Sequence, residues 1–133
     1  MRGERPTHSV AANVRVRDAI GPRDLNEILT DGAAVLCDCE GYELELMKPD
    51  VATRLRTTFV VIELHDFIDV SISPTIVERF APTHKVKILD VQRRDPRNYP
   101  MVPTADFEWS VDEHRPVEPH PMQWAICKPF SDA

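Results

Sequence analysis

Thr58-Phe59-Val60-Val61-Ile62-Glu63-Leu64 is the strongest strand signal in the chain. Its β-branched and aromatic residues suit a pleated, buried surface and oppose a helix, where branching at Cβ restricts the side chain. Upstream, Ala33-Ala34-Val35-Leu36-Cys37 is a continuous apolar run of strand length, the pattern expected of a central parallel strand covered on both sides. Between the two, Gly41 makes a turn, 42–47 reads as a helix start, and the helix is relaunched after Pro49 through Val51 and Leu55. Two strands joined through helix form a parallel crossover unit, because parallel neighbours cannot be linked by a tight hairpin.

Working outward, Ser73-Pro74 reads as an N-cap followed by proline at the first helical position, with Ile76, Val77 and Phe80 as the apolar face. Val86 and Ile88 alternate with Lys85 and Lys87 as a third strand, and Gln123-Trp124-Ala125-Ile126-Cys127 is a fourth. Toward the start, Gly21-Pro22 opens a helix whose Leu25, Ile28 and Leu29 recur at i, i+3, i+4, and Asp31-Gly32 stops it. Val14 and Val16, alternating with Arg15 and Arg17, predict a short half-exposed strand. Residues 1–12 show no period and are expected as a loose lead-in. The order of elements over 13–133 predicts one α/β domain.

Residues 92–121 follow neither period and are expected as one long loop, with Phe107 and Trp109 packing it onto the body. The prolines mark this change of character: seven of the 12 (Pro96, Pro100, Pro103, Pro116, Pro119, Pro121 and Pro129) lie beyond residue 95.

A length of 133 residues suits one core. The net charge of -6 argues against a phosphate-backbone partner, since non-specific nucleic-acid affinity comes from clustered Lys and Arg. No run approaches the ~18 apolar residues of a membrane span. A cytoplasmic protein with neither nucleic-acid nor membrane partners is expected. The three cysteines read as reduced thiols: Cys37-x-Cys39 lacks a second Cys or His pair for zinc and fits core packing. His84, His114 and His120 read as solvated flanking residues, and Arg93, Arg94 and Arg97 as a solvated basic spot.

Strand alternation sends Leu36, Asp38 and Glu40 to one face and Val35, Cys37 and Cys39 to the other, if extended geometry persists to residue 40. Glu63 and His65 share a face in the same way. Parallel pairing of the two strands then brings Asp38, Glu40, Glu63, His65 and Asp66 together at their carboxyl ends, where open α/β sheets hold ligands. Such a cluster could coordinate a hard divalent cation or supply a general base raised by like charge. No compact ligand spacing such as H-x-x-x-H is present, so no metal ligands are assigned. Alternatively, Asp38 and Glu40 accept backbone N–H groups at the turn around Gly41 and the helix start after it.

The segment Val35-Leu36-Cys37-Asp38-Cys39-Glu40-Gly41-Tyr42-Glu43 resembles the D-x-E-G-x-E segment of FkbM-like methyltransferases, which lies at the end of their fourth strand. The strand ending Val61-Ile62-Glu63-Leu64-His65-Asp66-Phe67, a helix, a strand and a terminal strand ending Lys128-Pro129 follow in the family's order, so the resemblance covers roughly 20–130. It implies the carboxyl-terminal half of a Rossmann-like, class I S-adenosylmethionine methyltransferase sheet: α/β, mostly parallel, with helices on the faces and the last strand antiparallel to its neighbours. The implied parent activity is methyl transfer to an oxygen of a small molecule or glycan. Asp38, Glu40 and His65 become the catalytic candidates, Asp38 also lies beside the cofactor, and Tyr42, Glu63, Asp66 and Arg115 become substrate-binding candidates. Arg115-Pro116 and Trp124 resemble features of the family's last segment.

The family's Gly-rich turn, which lets backbone approach the cofactor, and the acidic residue after its second strand have no counterpart here. The only glycines are Gly3, Gly21, Gly32 and Gly41, and no two form a G-x-G turn. The chain is therefore expected not to bind S-adenosylmethionine alone. Its strand at 33–38 is expected at a sheet edge, to be covered by the strand near 14–16, by a second copy in a homodimer or by a complementary amino-terminal half.

Overall fold

The computed structural model describes residues 14–30, 32–91, 94–103 and 120–130. Four strands form one open sheet in the order β1-β2-β4-β3. β1 (Ala34–Cys37) and β2 (Phe59–Leu64) are parallel, with Ala34 opposite Phe59 and Cys37 opposite Ile62. β4 (Gln123–Pro129) lies between β2 and β3 (His84–Asp90) and runs antiparallel to both. The α/β class, the mostly parallel strand direction and the antiparallel last strand are as the sequence predicts.

Helix α1 (Pro22–Ile28) begins as expected, with Pro22 in the first turn and the Gly21 N–H donating to Asp24 Oδ2 at 2.9 Å. The β1–β2 connection carries two short helices, α2 (Glu43–Leu46) and α3 (Pro49–Arg54), divided at Pro49 as the sequence implies. Proline cannot donate the backbone bond that would continue α2. Arg79, from α4 (Ile72–Phe80), donates to the carbonyls of Leu44 and Met47 at 2.7 and 2.9 Å, capping α2 from outside.

Pairing divides the side chains cleanly. Cys37, Val60, Ile62, Leu64, Ala125 and Cys127 share one face, and their core cluster is completed by Leu25, Met47, Val51, Ala52, Leu55, Ile72, Ile76 and Phe80 of the helical side. Burying each large aliphatic or aromatic side chain there contributes roughly 1.5–3 kcal/mol.

Three local expectations change. Residues 14–20 form no strand, and Val16 is 77% exposed: one alternating pair is too short to commit backbone to a ladder. β1 is not covered on both sides, since Leu36 is 72% exposed. An apolar run does not say whether both faces of its strand are covered; the place of β1 at the edge of the sheet is the one expected. Helix α4 starts before Ser73-Pro74, so Ser73 is inside the first turn, and its N–H donates to Asp66 Oδ1 at 2.8 Å. Ile72, Ile76 and Phe80 form its buried stripe, with Val77 only half-buried.

Within 92–121, the described part holds a 3₁₀ turn at Pro96–Asn98, where Asp95 Oδ1 accepts the Arg97 N–H at 3.0 Å. Phe107 and Trp109 lie outside the described residues. Among the described residues no helix is long and apolar enough to cross a membrane.

Candidate functional site

The last paired rung of β1 and β2 is Cys37–Ile62, so Asp38 follows the end of β1 at the level of Glu63, which is still inside β2. Extended backbone ends there. Glu40 has φ 53° and Gly41 φ 96°, and the Tyr42 N–H donates to the Cys39 carbonyl at 3.1 Å, closing a mirror-image turn with both central residues at positive φ. Glycine is needed at the second position for space as well, because a Cβ on Gly41 would stand 3.1 Å from Ile68 Cδ1.

This turn delivers Glu43, the first residue of α2, into the protein. Glu43 is fully buried. Its Oε1 accepts the Gly41 N–H at 3.1 Å and faces His65 Nδ1 at 2.5 Å. Glu43, rather than Asp38 or Glu40, therefore satisfies the backbone of the turn. His65 directly follows β2 and is 1% exposed, with Phe67 edge-on to its ring at 5.7 Å. With Nδ1 engaged by the carboxylate, Nε2 is the ring nitrogen left to face the turn. Nε2 lies 3.5 Å from Glu40 Oε2 and 3.9 Å from Asp38 Oδ1.

No protein-family model, curated protein or solved structure matches this chain.

Asp38, Glu40 and His65 thus come together, each offering one atom within 4.8 Å of the others. Tyr42 closes the same turn and is exposed. Glu63 is buried within β2 and pairs in register with Trp124. Asp66 turns to α4, where it holds the Ser73 N–H. Arg115 lies outside the described residues. Strand alternation does not reach Glu43 of the D-x-E-G-x-E segment; its signal is its place two residues after the turn glycine, whose N–H it accepts.

The thiols behind the site are free. Cys37 and Cys39 stand 3.4 Å apart, sulfur to sulfur. The hydrogen bond between them pulls the Cys39 thiol below its ordinary value, against the opposing effects of burial and the Glu43 charge. The same bond, with burial, pushes the Cys37 thiol up. Burial pushes Cys127 up to about 12.

His84 is not a solvated flank. It is 1% exposed, its Nε2–H donates to the Thr58 carbonyl at 2.9 Å, Nδ1 meets Thr83 Oγ1 at 2.8 Å, and Phe80 stands edge-on at 5.1 Å. Both ring nitrogens are satisfied, which makes burial affordable. His120 is exposed as expected, and His114 lies outside the described residues. A separate cleft of about 210 Å³, lined by Leu29, Thr30, Arg54, Arg56, Thr57 and Thr58, opens at the amino end of β2, away from His65.

Proposed function

We propose that this chain is the carboxyl-terminal half of an FkbM-like, class I methyltransferase domain, cytoplasmic, whose complete form methylates an oxygen of a small molecule or glycan. The supporting observation is the sheet order: an antiparallel last strand inserted between β2 and β3, with β1 at the edge and Asp38 and Glu40 leaving its carboxyl end beside His65. Ligands of open α/β sheets gather at that end of the strands.

The part these residues would play is on the acceptor side. Glu43 would orient the His65 ring through Nδ1 and direct Nε2 toward Asp38 and Glu40, where an acceptor's proton could be received. Asp38 and Glu40 would steady the proton once it arrives. The residues do not fit S-adenosylmethionine itself: the 133 residues hold no G-x-G turn to admit the cofactor's backbone contacts. No turnover is expected from the chain alone.

The test is equilibrium binding of radiolabelled S-adenosylmethionine to the chain by itself and co-expressed with the Gly-rich half of an FkbM-like methyltransferase. Binding by the assembled pair and by neither part supports the proposal. An assembled pair that does not bind, or micromolar binding by the chain alone, overturns it.

A second reading, a non-catalytic module that extends its sheet with a partner or a second copy, is favoured by β1, which among the described residues has a strand neighbour on one side only. A strict monomer by light scattering at high concentration counts against it.

A further inference from the structure

We propose that Asp38, Glu40 and His65 form a binding site for one divalent cation of the manganese-to-zinc series. The inference does not depend on the methyltransferase reading, since it concerns what three side chains hold and not which reaction they serve.

The observation that points to a ligand is His65 Nε2. The side chain is 1% exposed, and this nitrogen has no hydrogen-bond partner. It is aimed at two carboxylates but touches neither, at 3.5 Å from Glu40 and 3.9 Å from Asp38. A charged N–H···O contact closes to about 2.7–2.9 Å. Around a cation holding imidazole nitrogen and carboxylate oxygen at about 2.0–2.2 Å, ligand atoms instead stand roughly 3–4 Å from one another. The gap between Nε2 and the oxygens therefore has the width left by an interposed ion.

The surroundings of His65 agree. Metal-bound histidine characteristically donates its other ring N–H to a carboxylate, which sets the tautomer and strengthens the ligating nitrogen. Glu43 occupies that position at 2.5 Å and is itself held by the Gly41 N–H. Glu40 comes from a left-handed turn residue, and both outer ligands are open to solvent, Asp38 at 48% and Glu40 at 81%. Two carboxylates balance the charge of a divalent ion, and an imidazole among them favours a borderline transition metal over magnesium or calcium, which prefer oxygen alone. Three protein ligands leave coordination positions for water or an oxygen-bearing ligand. The set was invisible as a motif because the imidazole comes from a different strand than the D-x-E pair.

The full chain, stripped with chelator, is titrated with Mn(II) by calorimetry and pulsed electron paramagnetic resonance, with Zn(II) as competitor. One equivalent is expected, with nitrogen coupling from a single imidazole and a melting temperature that rises with metal concentration. Asp38→Asn and Glu40→Gln, at solvent-open positions, should each weaken binding while leaving the metal-free melting temperature near that of the parent. Glu43 is a positioning residue: Glu43→Gln should weaken affinity about 10–100-fold with the nitrogen coupling altered. Absence of saturable Mn(II) or Zn(II) binding overturns the proposal. So does binding without nitrogen coupling, binding unchanged in the Asp38→Asn, Glu40→Gln double variant, or equally tight binding of Ca(II).

Discussion

His65 Nδ1 and Glu43 Oε1 meet at 2.5 Å across 22 residues of sequence, with both side chains closed to solvent. Each is tolerable inside the protein because of the other, since a buried polar group left unpaired loses its water without replacement. Glu43→Ala should lower the unfolding free energy by about 1–3 kcal/mol in urea titrations. Glu43→Gln keeps an oxygen for Nδ1–H and should lose less. Equal stability of Glu43→Ala and the parent would show that the contact is energetically idle.

The turn at Glu40 and Gly41 predicts two substitutions of opposite sign. Gly41→Ala adds a Cβ at φ 96° and 3.1 Å from Ile68, and should destabilise by about 1 kcal/mol or more. Glu40→Gly relieves a left-handed conformation that costs an L-residue roughly 1–2 kcal/mol, partly offset by the freer unfolded chain. It should raise the melting temperature of the metal-free protein. Thermal melts of the two variants side by side decide the matter, and the same sign for both would contradict the turn.

Of the three thiols, Cys39 combines partial exposure with a lowered pKa, while Cys37 and Cys127 are buried and raised. Brief iodoacetamide treatment of the folded, chelator-treated chain should place its first label on Cys39, read by peptide mass mapping. Cys37→Ala removes the S–H that stabilises the Cys39 thiolate and should move the onset of labelling to higher pH. First labelling at Cys127 would contradict the geometry.

Alkaline pH should weaken the fold through Cys127. Its folded-state value is raised from 9.0 to about 12, so below 9.0 both folded and unfolded chains hold the proton and stability is level. Above 9.0 the unfolded chain releases it while the folded chain cannot, the unfolded state binds fewer protons, and stability falls until about 12. Urea midpoints measured across this window should decline more gently in Cys127→Ala than in the parent. Parallel slopes would mean that the loss comes from other groups.

Elements that rest on local pattern are legible in the amino-acid order. The β-branched density of Thr58-Phe59-Val60-Val61-Ile62 specified a strand, Pro22 a helix start and Pro49 a break between helices, because each depends on backbone freedom within a few residues. The parallel pairing that brings Asp38 level with Glu63 was also legible, since two strands joined through helix have little other choice. Which polar groups are buried, and with what partner, emerges only once the chain has folded. His84 reads as a solvated flank until Thr58 and Thr83 are set against it, Glu43 has no reading until Gly41 and His65 face it, and the bond from the Ser73 N–H to Asp66 has no local signature. Such partners are supplied by chain folding back from distant positions, and no periodicity of 2 or 3.6 residues encodes them.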